Sequence, residues 1–192
     1  MLLILMPPSA HAATRVELGS ASVVFPRGIP QKVAPTPEDR AKAEAKLRAK
    51  SPAAADRMSR IDAEMGPVDG WIVMDRAHGV TFLFSERSTP PSLRQVAQSK
   101  CPDPAPKSWG AGVRTCRDVR IGDAVGREYD GPGPDGSKSA RLSVSKGGRT
   151  YLLSYIQAGR IALARLNATP GSDDPRVFLG SFRLNGAAPV WP

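Results

Sequence analysis

The stretch Ser139-Ala-Arg-Leu-Ser-Val-Ser-Lys-Gly-Gly-Arg-Thr-Tyr-Leu-Leu-Ser-Tyr-Ile156 decides the fold of this chain. Alternating side chains run on both sides of Gly147-Gly148, and a Gly-Gly pair readily adopts the positive φ angles of a two-residue hairpin turn. Lys146 is therefore expected to pair with Arg149. The sequence predicts an antiparallel hairpin whose register is fixed by this turn.

The register separates the hairpin into a core face and a polar face, because successive side chains of a strand point to opposite sides. The predicted core face comprises Ala140, Leu142, Val144, Tyr151, Leu153 and Tyr155. The predicted polar face comprises Arg141, Ser143, Ser145, Thr150, Leu152 and Ser154. We expect three residues of the core face to be more buried than three of the polar face: Leu142, Tyr151 and Leu153 against Ser143, Ser145 and Thr150.

Further strand patterns surround this hairpin. Apolar, aromatic and β-branched residues that are bounded by glycine, proline or aspartate are typical of strands. The predicted strands are 15–25, as one strand or a bent pair, then 70–74 and 79–84 as a hairpin, 114–121, 125–129, and a closing segment 177–184.

Helix signals occur at three places. Thr36 precedes a proline and two acidic residues, which is the pattern of a helix N-cap followed by residues that suit the first helical turn. The sequence predicts helices at Pro37 to Lys50, Pro52 to Met65 and Ser92 to Lys100. The predicted fold class is therefore α+β, an antiparallel sheet flanked by helices, with the helical pair 37–65 as an insertion.

Length and composition fit one domain. The chain has 192 residues, of which 41% are hydrophobic and 23% are charged, and these values are ordinary for a globular domain. Its 19 prolines and 18 glycines are too many for a helical bundle, because proline removes a backbone donor and glycine weakens regular segments. We expect a single domain over residues 13–192.

The first residues resemble the end of a secretory signal peptide. Met1 to Ala12 contains an apolar run and ends in Ala10-His-Ala12, which has the small residues of a cleavage site. The run is short and no basic residue precedes it, so the true start of the signal can lie upstream; the alternative is a buried N-terminal strand. The run is too short for a transmembrane helix. We expect a periplasmic or secreted protein.

Export changes how the two cysteines are interpreted. Disulfides persist in oxidising compartments and are rare in the cytosol. Cys101 and Cys116 enclose a segment rich in proline and glycine, and a bridge around such a loop contributes about 3 kcal/mol in the chain-entropy model. We expect a structural disulfide, and the alternative is a reactive thiol.

The formal net charge of +9 favours anionic partners. Outside the cytosol such partners are anionic envelope components, for instance phospholipid head groups or envelope polymers; a protein partner is the other candidate. The alternative is that the arginines only keep an exported domain soluble. No zinc finger, leucine zipper or aromatic-basic RNA motif is present in the sequence, so no specific nucleic-acid partner is expected.

The order of these motifs resembles the PsbP-like family. The resemblance depends mainly on Gly122 to Tyr129, Arg149 to Tyr155 and Phe178 to Leu184, and more loosely covers Trp71 to Leu184. It implies an antiparallel sheet flanked by helices and an accessory or binding role rather than a reaction. The helical pair 37–65 is additional to what the resemblance implies.

The polar face is the predicted ligand site, with Arg127, Arg141, Ser143 and Thr150 as candidate ligand-binding residues. In a regular hairpin Arg127, Glu128 and Arg141 come close together, and a pair of guanidinium groups binds a carboxylate or phosphate well. The alternative is that these arginines pair with nearby acids such as Glu128 and Asp130.

No metal site and no cofactor are predicted. The sequence has two histidines, His11 and His78, and a zinc site needs several ligands of the right kind. No nucleophile elbow, P-loop or dinucleotide-binding motif occurs in the sequence. His78 is interpreted as a turn residue.

Two classes of function remain. The first is an exported, non-enzymatic binding or assembly accessory protein of a bacterial-type cell envelope, with an unknown ligand. The alternative is a small secreted hydrolase or other enzyme that uses carboxylates among Asp75, Glu86, Asp118 and Glu128. A deep pocket that holds two of these carboxylates with raised pKa values would favour the enzyme.

Overall fold

The computed structural model describes residues 13–33, 36–53, 55–56, 59, 63, 68–89, 101, 115–132, 134–171 and 174–191. The strands are β1 (Thr14–Leu18), β2 (Ala21–Phe25), β3 (Gln31–Val33), β4 (Asp69–Asp75), β5 (Val80–Ser88), β6 (Thr115–Ile121), β7 (Ala124–Pro132), β8 (Lys138–Lys146), β9 (Arg149–Gln157), β10 (Arg183–Leu184) and β11 (Pro189–Val190). The helices are α1 (Pro37–Lys50), α2 (Arg160–Leu166) and α3 (Pro175–Gly180), and Pro134–Gly136 forms a 3-10 turn.

The strands form two antiparallel sheets. The larger sheet has eight strands in the order β11-β6-β7-β8-β9-β5-β4-β3, and the smaller has three in the order β1-β2-β10. Strands β6 to β9 are a meander at the centre of the larger sheet. The smaller sheet depends on a long-range pairing, since Leu184 of β10 lies opposite Ala21 of β2.

The predicted hairpin register is confirmed. Lys146 pairs with Arg149, and the pairs Val144 with Tyr151 and Leu142 with Leu153 follow outward from the turn. Gly147 and Gly148 have φ angles of 60° and 76°, which glycine adopts without steric cost. The predicted order of burial is also confirmed, because the leucines and Tyr151 are buried while Ser143, Ser145 and Thr150 are half-buried.

The two faces of the eight-stranded sheet are called here the inner and the outer face. The inner face is the one that carries Leu142 and Leu153, and it packs against the three-stranded sheet and α3. Aromatic rings fill this contact in tilted or edge-on pairs. Edge-on ring pairs add stability beyond that of the apolar area they bury. The ring pairs are Phe25–Phe178, Phe82–Tyr155, Phe82–Phe178, Phe84–Phe182 and Tyr151–Phe182.

The predicted fold class is wrong. In the described part of the chain, strands account for 49% of residues and helices for 25%, and no helix-flanked α+β arrangement is present. The α-helices whose bounds are given above are three short ones. The layer that covers the inner face is mainly a second sheet. Helix α1 begins after the predicted N-cap Thr36, which forms a capping box with Asp39, but the helix buries no residue, so it does not flank the sheet.

The predicted closing strand at 177–184 is also partly wrong. Its first half is the end of α3, which Asp174 caps by accepting a hydrogen bond from the backbone N–H of Arg176. Pro175 occupies the first helical position, where its missing N–H costs nothing. Only Arg183–Leu184 forms a strand, which is β10.

Several expectations lie wholly or largely outside the described residues. Residues 1–12, where the signal peptide is predicted, and the predicted helix 92–100 are outside them. Of the predicted helix 52–65, only residues 52, 53, 55, 56, 59 and 63 are described, all of them helical. None of the described helices is long and apolar enough to cross a bilayer.

Cys101 and Cys116 form the expected disulfide, with 5.6 Å between their Cα atoms. The backbone N–H of Cys101 also donates to Asp118 Oδ1 at 2.9 Å. Both contacts hold Cys101 beside β6. A disulfide is compatible with an oxidising compartment.

Candidate functional site on the outer face

The outer face of the eight-stranded sheet is the candidate functional site. Its strand residues alternate with the buried residues of the inner face, so the register of each strand pair assigns every side chain to one face. In the described strands the charged residues of the outer face are four arginines and one aspartate: Arg87, Arg120, Arg127, Arg141 and Asp118. The described strand residues of this face therefore have an excess of three positive charges.

The inner face has no such excess. Its described strand residues include five acids and five bases: Asp69, Asp75, Glu86, Glu128 and Asp130, with Lys32, Arg117, Lys138, Lys146 and Arg149. Several of them are paired at the rim of the core. Lys32 Nζ lies 2.6 Å from Asp69 Oδ1, Arg149 pairs with Glu86, and Arg117 Nη2 lies 3.8 Å from Asp130 Oδ2.

A groove of about 310 Å³ lies on the outer face. It runs over β5, β9 and β8, and its described lining residues are Val68, Leu83, Ser85, Arg87, Ser143, Thr150 and Leu152. Three hydroxyl groups and one guanidinium group thus stand beside three aliphatic side chains. Binding sites for small molecules commonly combine an apolar lining with a few polar groups.

A chain of hydroxyl groups fixes one wall of this groove. Thr150 Oγ1 lies 2.5 Å from Thr89 Oγ1 and 2.9 Å from Ser145 Oγ. Thr89 is buried, and its backbone N–H donates to the carbonyl of Gly148 at 2.7 Å. Thr150 is therefore held in place by neighbours on two sides, which reduces the entropy lost when a ligand binds.

The predicted ligand residues all lie on the outer face, but they do not form one cluster. Ser143 and Thr150 line the groove. Arg127 lies opposite Ser143 and is 6% exposed, whereas Arg141 lies opposite Tyr129 and is exposed. The two arginines are diagonal neighbours in the register, where side chains are about 7–8 Å apart. Glu128 lies on the inner face, so the expected group of Arg127, Glu128 and Arg141 is not brought together.

Sequence reasoning missed Arg87, the one charged residue in the described groove lining. The predicted strand ends at Phe84, but β5 continues to Ser88. The alternation of inward and outward side chains along β5 could have shown this. Ser85 and Arg87 follow Leu83 at intervals of two residues, so all three point to the outer face. Leu83 and Leu152 form the apolar wall.

The four carboxylates of the enzyme hypothesis are far apart. Asp75 pairs with Val80 of β5, and Glu86 comes six residues after Val80 on the same strand. The distance along the strand from Val80 to Glu86 is therefore about 20 Å. Glu86 and Glu128 are separated by three strand spacings, or about 14 Å, and Asp118 lies on the outer face. The structure therefore brings no two of these four side chains into one pocket.

Asp75 belongs to a small ionic cluster at the β4–β5 turn. Its Oδ2 lies 2.8 Å from His78 Nδ1 and accepts from Arg27 Nη1 at 3.1 Å, and its Oδ1 accepts from the backbone N–H of His78 at 3.2 Å. Partial burial raises the pKa of Asp75, but the hydrogen bonds from His78 and Arg27 outweigh it, so that this pKa lies below its ordinary value. The contacts give His78 a structural role in the turn.

Glu128 has the opposite shift. It is 2% exposed, and Trp191 Nε1–H donates to its Oε2 at 2.5 Å. Burial raises the pKa of Glu128 above its ordinary value, although the hydrogen bond from Trp191 and the charge of Arg117 lower it in part. This carboxyl group is enclosed beneath Trp191 rather than directed toward the groove.

The described side chains contain no group of three or more histidine, cysteine, aspartate or glutamate residues that could hold a metal ion. The comparisons with known proteins give no relative: no family model, no curated protein and no solved structure matches this chain.

Proposed function

We propose that this chain is an exported, non-enzymatic binding protein of the cell envelope that holds a small anionic amphiphile in the outer-face groove. The observation that carries the proposal is the groove itself, which places Arg87 and three hydroxyl groups next to Leu83 and Leu152. Export is supported by the signal-like residues 1–12 and by the disulfide.

The polar wall suits an anionic head group. A guanidinium group binds a carboxylate, sulfate or phosphate by two parallel hydrogen bonds, and hydroxyl groups of Ser85, Ser143 or Thr150 can donate to the remaining oxygens. Arg87 is half-buried, so solvent screens this interaction less than it would at an exposed site. The excess of arginine on the outer face adds a longer-range attraction for anions.

The apolar wall suits a short hydrocarbon segment. Val68, Leu83 and Leu152 are half-buried, and a ligand chain laid against them removes apolar surface from water. A volume of about 310 Å³ is at the lower end of the range for ligand sites. The ligand class is therefore a small amphiphile with one anionic group.

The accessory or assembly role implied by the PsbP-like resemblance remains a prediction. It is compatible with a protein that binds a ligand without transforming it. The carboxylate enzyme has no comparable support, because the described lining of the groove contains none of the four candidate carboxylates.

Calorimetric titration with octyl phosphate tests the proposal, with octyl glucoside as the neutral control. We expect octyl phosphate to bind and octyl glucoside not to bind. Arg87→Gln should weaken the binding of octyl phosphate by roughly tenfold or more, because a hydrogen bond to a charged group is lost. Arg120→Gln is the matched control. It removes the same charge from the same face, but Arg120 is exposed and is not among the described residues that line the groove.

Ser143→Phe provides a second variant that keeps every charge but fills the groove. It should abolish binding while circular dichroism shows an unchanged fold. Equal affinity for the two detergents, or equal losses in Arg87→Gln and Arg120→Gln, would contradict an anion site in the groove.

A further inference from the structure

One end of the eight-stranded sheet carries a second surface, called here the α2 end. At this end β4 turns into β5, β9 leads into α2, and β8 begins, as shown by the row of partners Asp75, Val80, Gln157 and Lys138. Five large apolar side chains at the α2 end are exposed: Ile29 (75%), Met74 (54%), Ile156 (42%), Ile161 (59%) and Leu166 (50%).

Helix α2 is anchored across this end. Leu163 is buried against Gly79, where a Cβ atom would overlap its side chain, and Asp135 Oδ2 accepts from the backbone N–H of Ile161 at 2.5 Å. Because successive helical residues are about 100° apart, Ile161 points away from the side that carries Leu163. The exposure of Ile161 thus follows from how α2 is held.

The other apolar residues belong to the adjoining edge of the outer face. Met74 and Ile156 both lie opposite Thr81, one on each side, so that their Cα atoms are about 10 Å apart. Ile29 comes two residues before Gln31, and Gln31 pairs with Ile72, which comes two residues before Met74. The apolar side chains therefore continue from the sheet edge to the helix.

Cations surround these residues. Arg76, Lys138, Arg160 and Arg165 are exposed at this end, and none of them forms an ion pair with a described acid. Asp75, Asp130 and Asp135 are described acids near these cations, and all three have other contacts; Asp130 Oδ2 lies 3.8 Å from Arg117 Nη2. Asp75 is held by Arg27 and His78, and Asp135 accepts from the backbone of α2.

We propose that the α2 end docks on the surface of an anionic lipid bilayer. An anionic bilayer surface presents charged head groups above the acyl chains. Exposed apolar side chains can enter the boundary of the acyl chains, while the arginine and lysine side chains around them contact the head groups. Lipid head groups move laterally and can adjust to four separate cations, whereas a protein partner would need a fixed acid opposite each one.

This surface is distinct from the polar end of the groove. Arg87 lies six residues along β5 from Thr81, which corresponds to about 20 Å. The apolar end of the groove is closer, because Leu83 lies two residues from Thr81, or about 7 Å. Docking at the α2 end thus leaves Arg87 accessible, and variants at the two sites separate the two proposals.

Vesicle sedimentation tests the docking surface with the full chain. We expect binding to vesicles of mixed phosphatidylglycerol and phosphatidylcholine, little binding to phosphatidylcholine alone, and weaker binding as salt is raised. Replacing Met74, Ile156 and Ile161 together by serine should reduce the partition coefficient roughly tenfold or more, since three apolar side chains no longer enter the bilayer. Arg160→Gln with Arg165→Gln should reduce binding to the mixed vesicles specifically.

Val177→Ser is the matched control, because Val177 is 63% exposed on α3, outside the α2 end; it should bind vesicles like the wild type. Equal binding to both vesicle types, no binding to either, or wild-type binding by the serine variant would overturn the proposal. Self-association of the free chain that the serine variant abolishes would assign this surface to a second copy instead. Arg87→Gln should leave vesicle binding unchanged, whatever its effect on octyl phosphate.

Discussion

The inner and outer faces of the eight-stranded sheet use the same strands for different purposes. The inner face buries aromatic and aliphatic residues, and its strand charges are equal in number and opposite in sign. The outer face has hydroxyl groups, isolated aliphatic residues and an excess of arginine. Successive residues of one strand point to opposite faces. Comparing the two faces therefore separates the residues that stabilise the core from the residues that can contact a ligand.

The largest expected difference is between two adjacent leucines of β9. Leu153 is fully buried on the inner face and Leu152 is half-buried in the groove. Leu153→Ala should lower the free energy of unfolding by about 2–5 kcal/mol, because it leaves a cavity in a packed core. Leu152→Ala should cost less than about 1.5 kcal/mol, since its side chain already contacts water. Urea unfolding of the two variants measures both values, and equal losses would remove the distinction between the faces.

A smaller effect is expected at Asp75, whose charge is partnered. Asp75→Asn should lower the free energy of unfolding at neutral pH by about 1.5 kcal/mol, because hydrogen bonds to an ionised carboxylate are lost. Since the pKa of Asp75 is lowered on folding from its ordinary value of 3.8, its contribution is present above pH 3.8 and is lost as the pH falls through the folded-state pKa. Urea unfolding from pH 7 downward should show the wild type approaching the variant; a constant gap would contradict the assignment.

The smallest effect, with the opposite sign, is expected at Glu128. Burial raises the pKa of Glu128 above its ordinary value of 4.5, so the stability gained from its protonated form is present below pH 4.5 and is lost as the pH rises through the folded-state pKa. Glu128→Gln keeps an acceptor for Trp191 and removes the buried charge. It should raise the free energy of unfolding at pH 7 by about 1 kcal/mol.

The matched control for Glu128 is Glu17→Gln, which removes the same charge from a side chain that is 69% exposed. Surface charges of this kind contribute little, so the control should unfold like the wild type at every pH. A Glu128→Gln variant that is less stable than the wild type at neutral pH would show that the ionised carboxylate is favourable where it lies.

The sequence was most informative where structure is local. The Gly147-Gly148 turn predicted the register and both faces of β8 and β9, and Thr36 was predicted as the N-cap of α1. The disulfide between Cys101 and Cys116 also followed from composition and compartment. Each of these features depends on residues close together in sequence, so its chemistry can be recognised without the rest of the fold.

The fold class could not be predicted in the same way, because the covering layer is assembled from both ends of the chain. Leu184 pairs with Ala21, and Phe178 packs on Phe25 and Phe82. Nothing local to these segments indicates that they meet. The hairpin register predicted the face on which Ser143 and Thr150 lie, whereas the position of Arg87 required the true length of β5 and its pairing with β9.

The most direct test of the central claim is an amide chemical-shift map of the wild type as octyl phosphate is added. Binding in the groove predicts shifts at Ser85, Arg87, Ser143, Thr150 and Leu152, and none at α3 and β2, which pack against the inner face. Shifts that are absent, or that are spread over the exposed arginines with no preference for the groove, would contradict a defined anion site on the outer face.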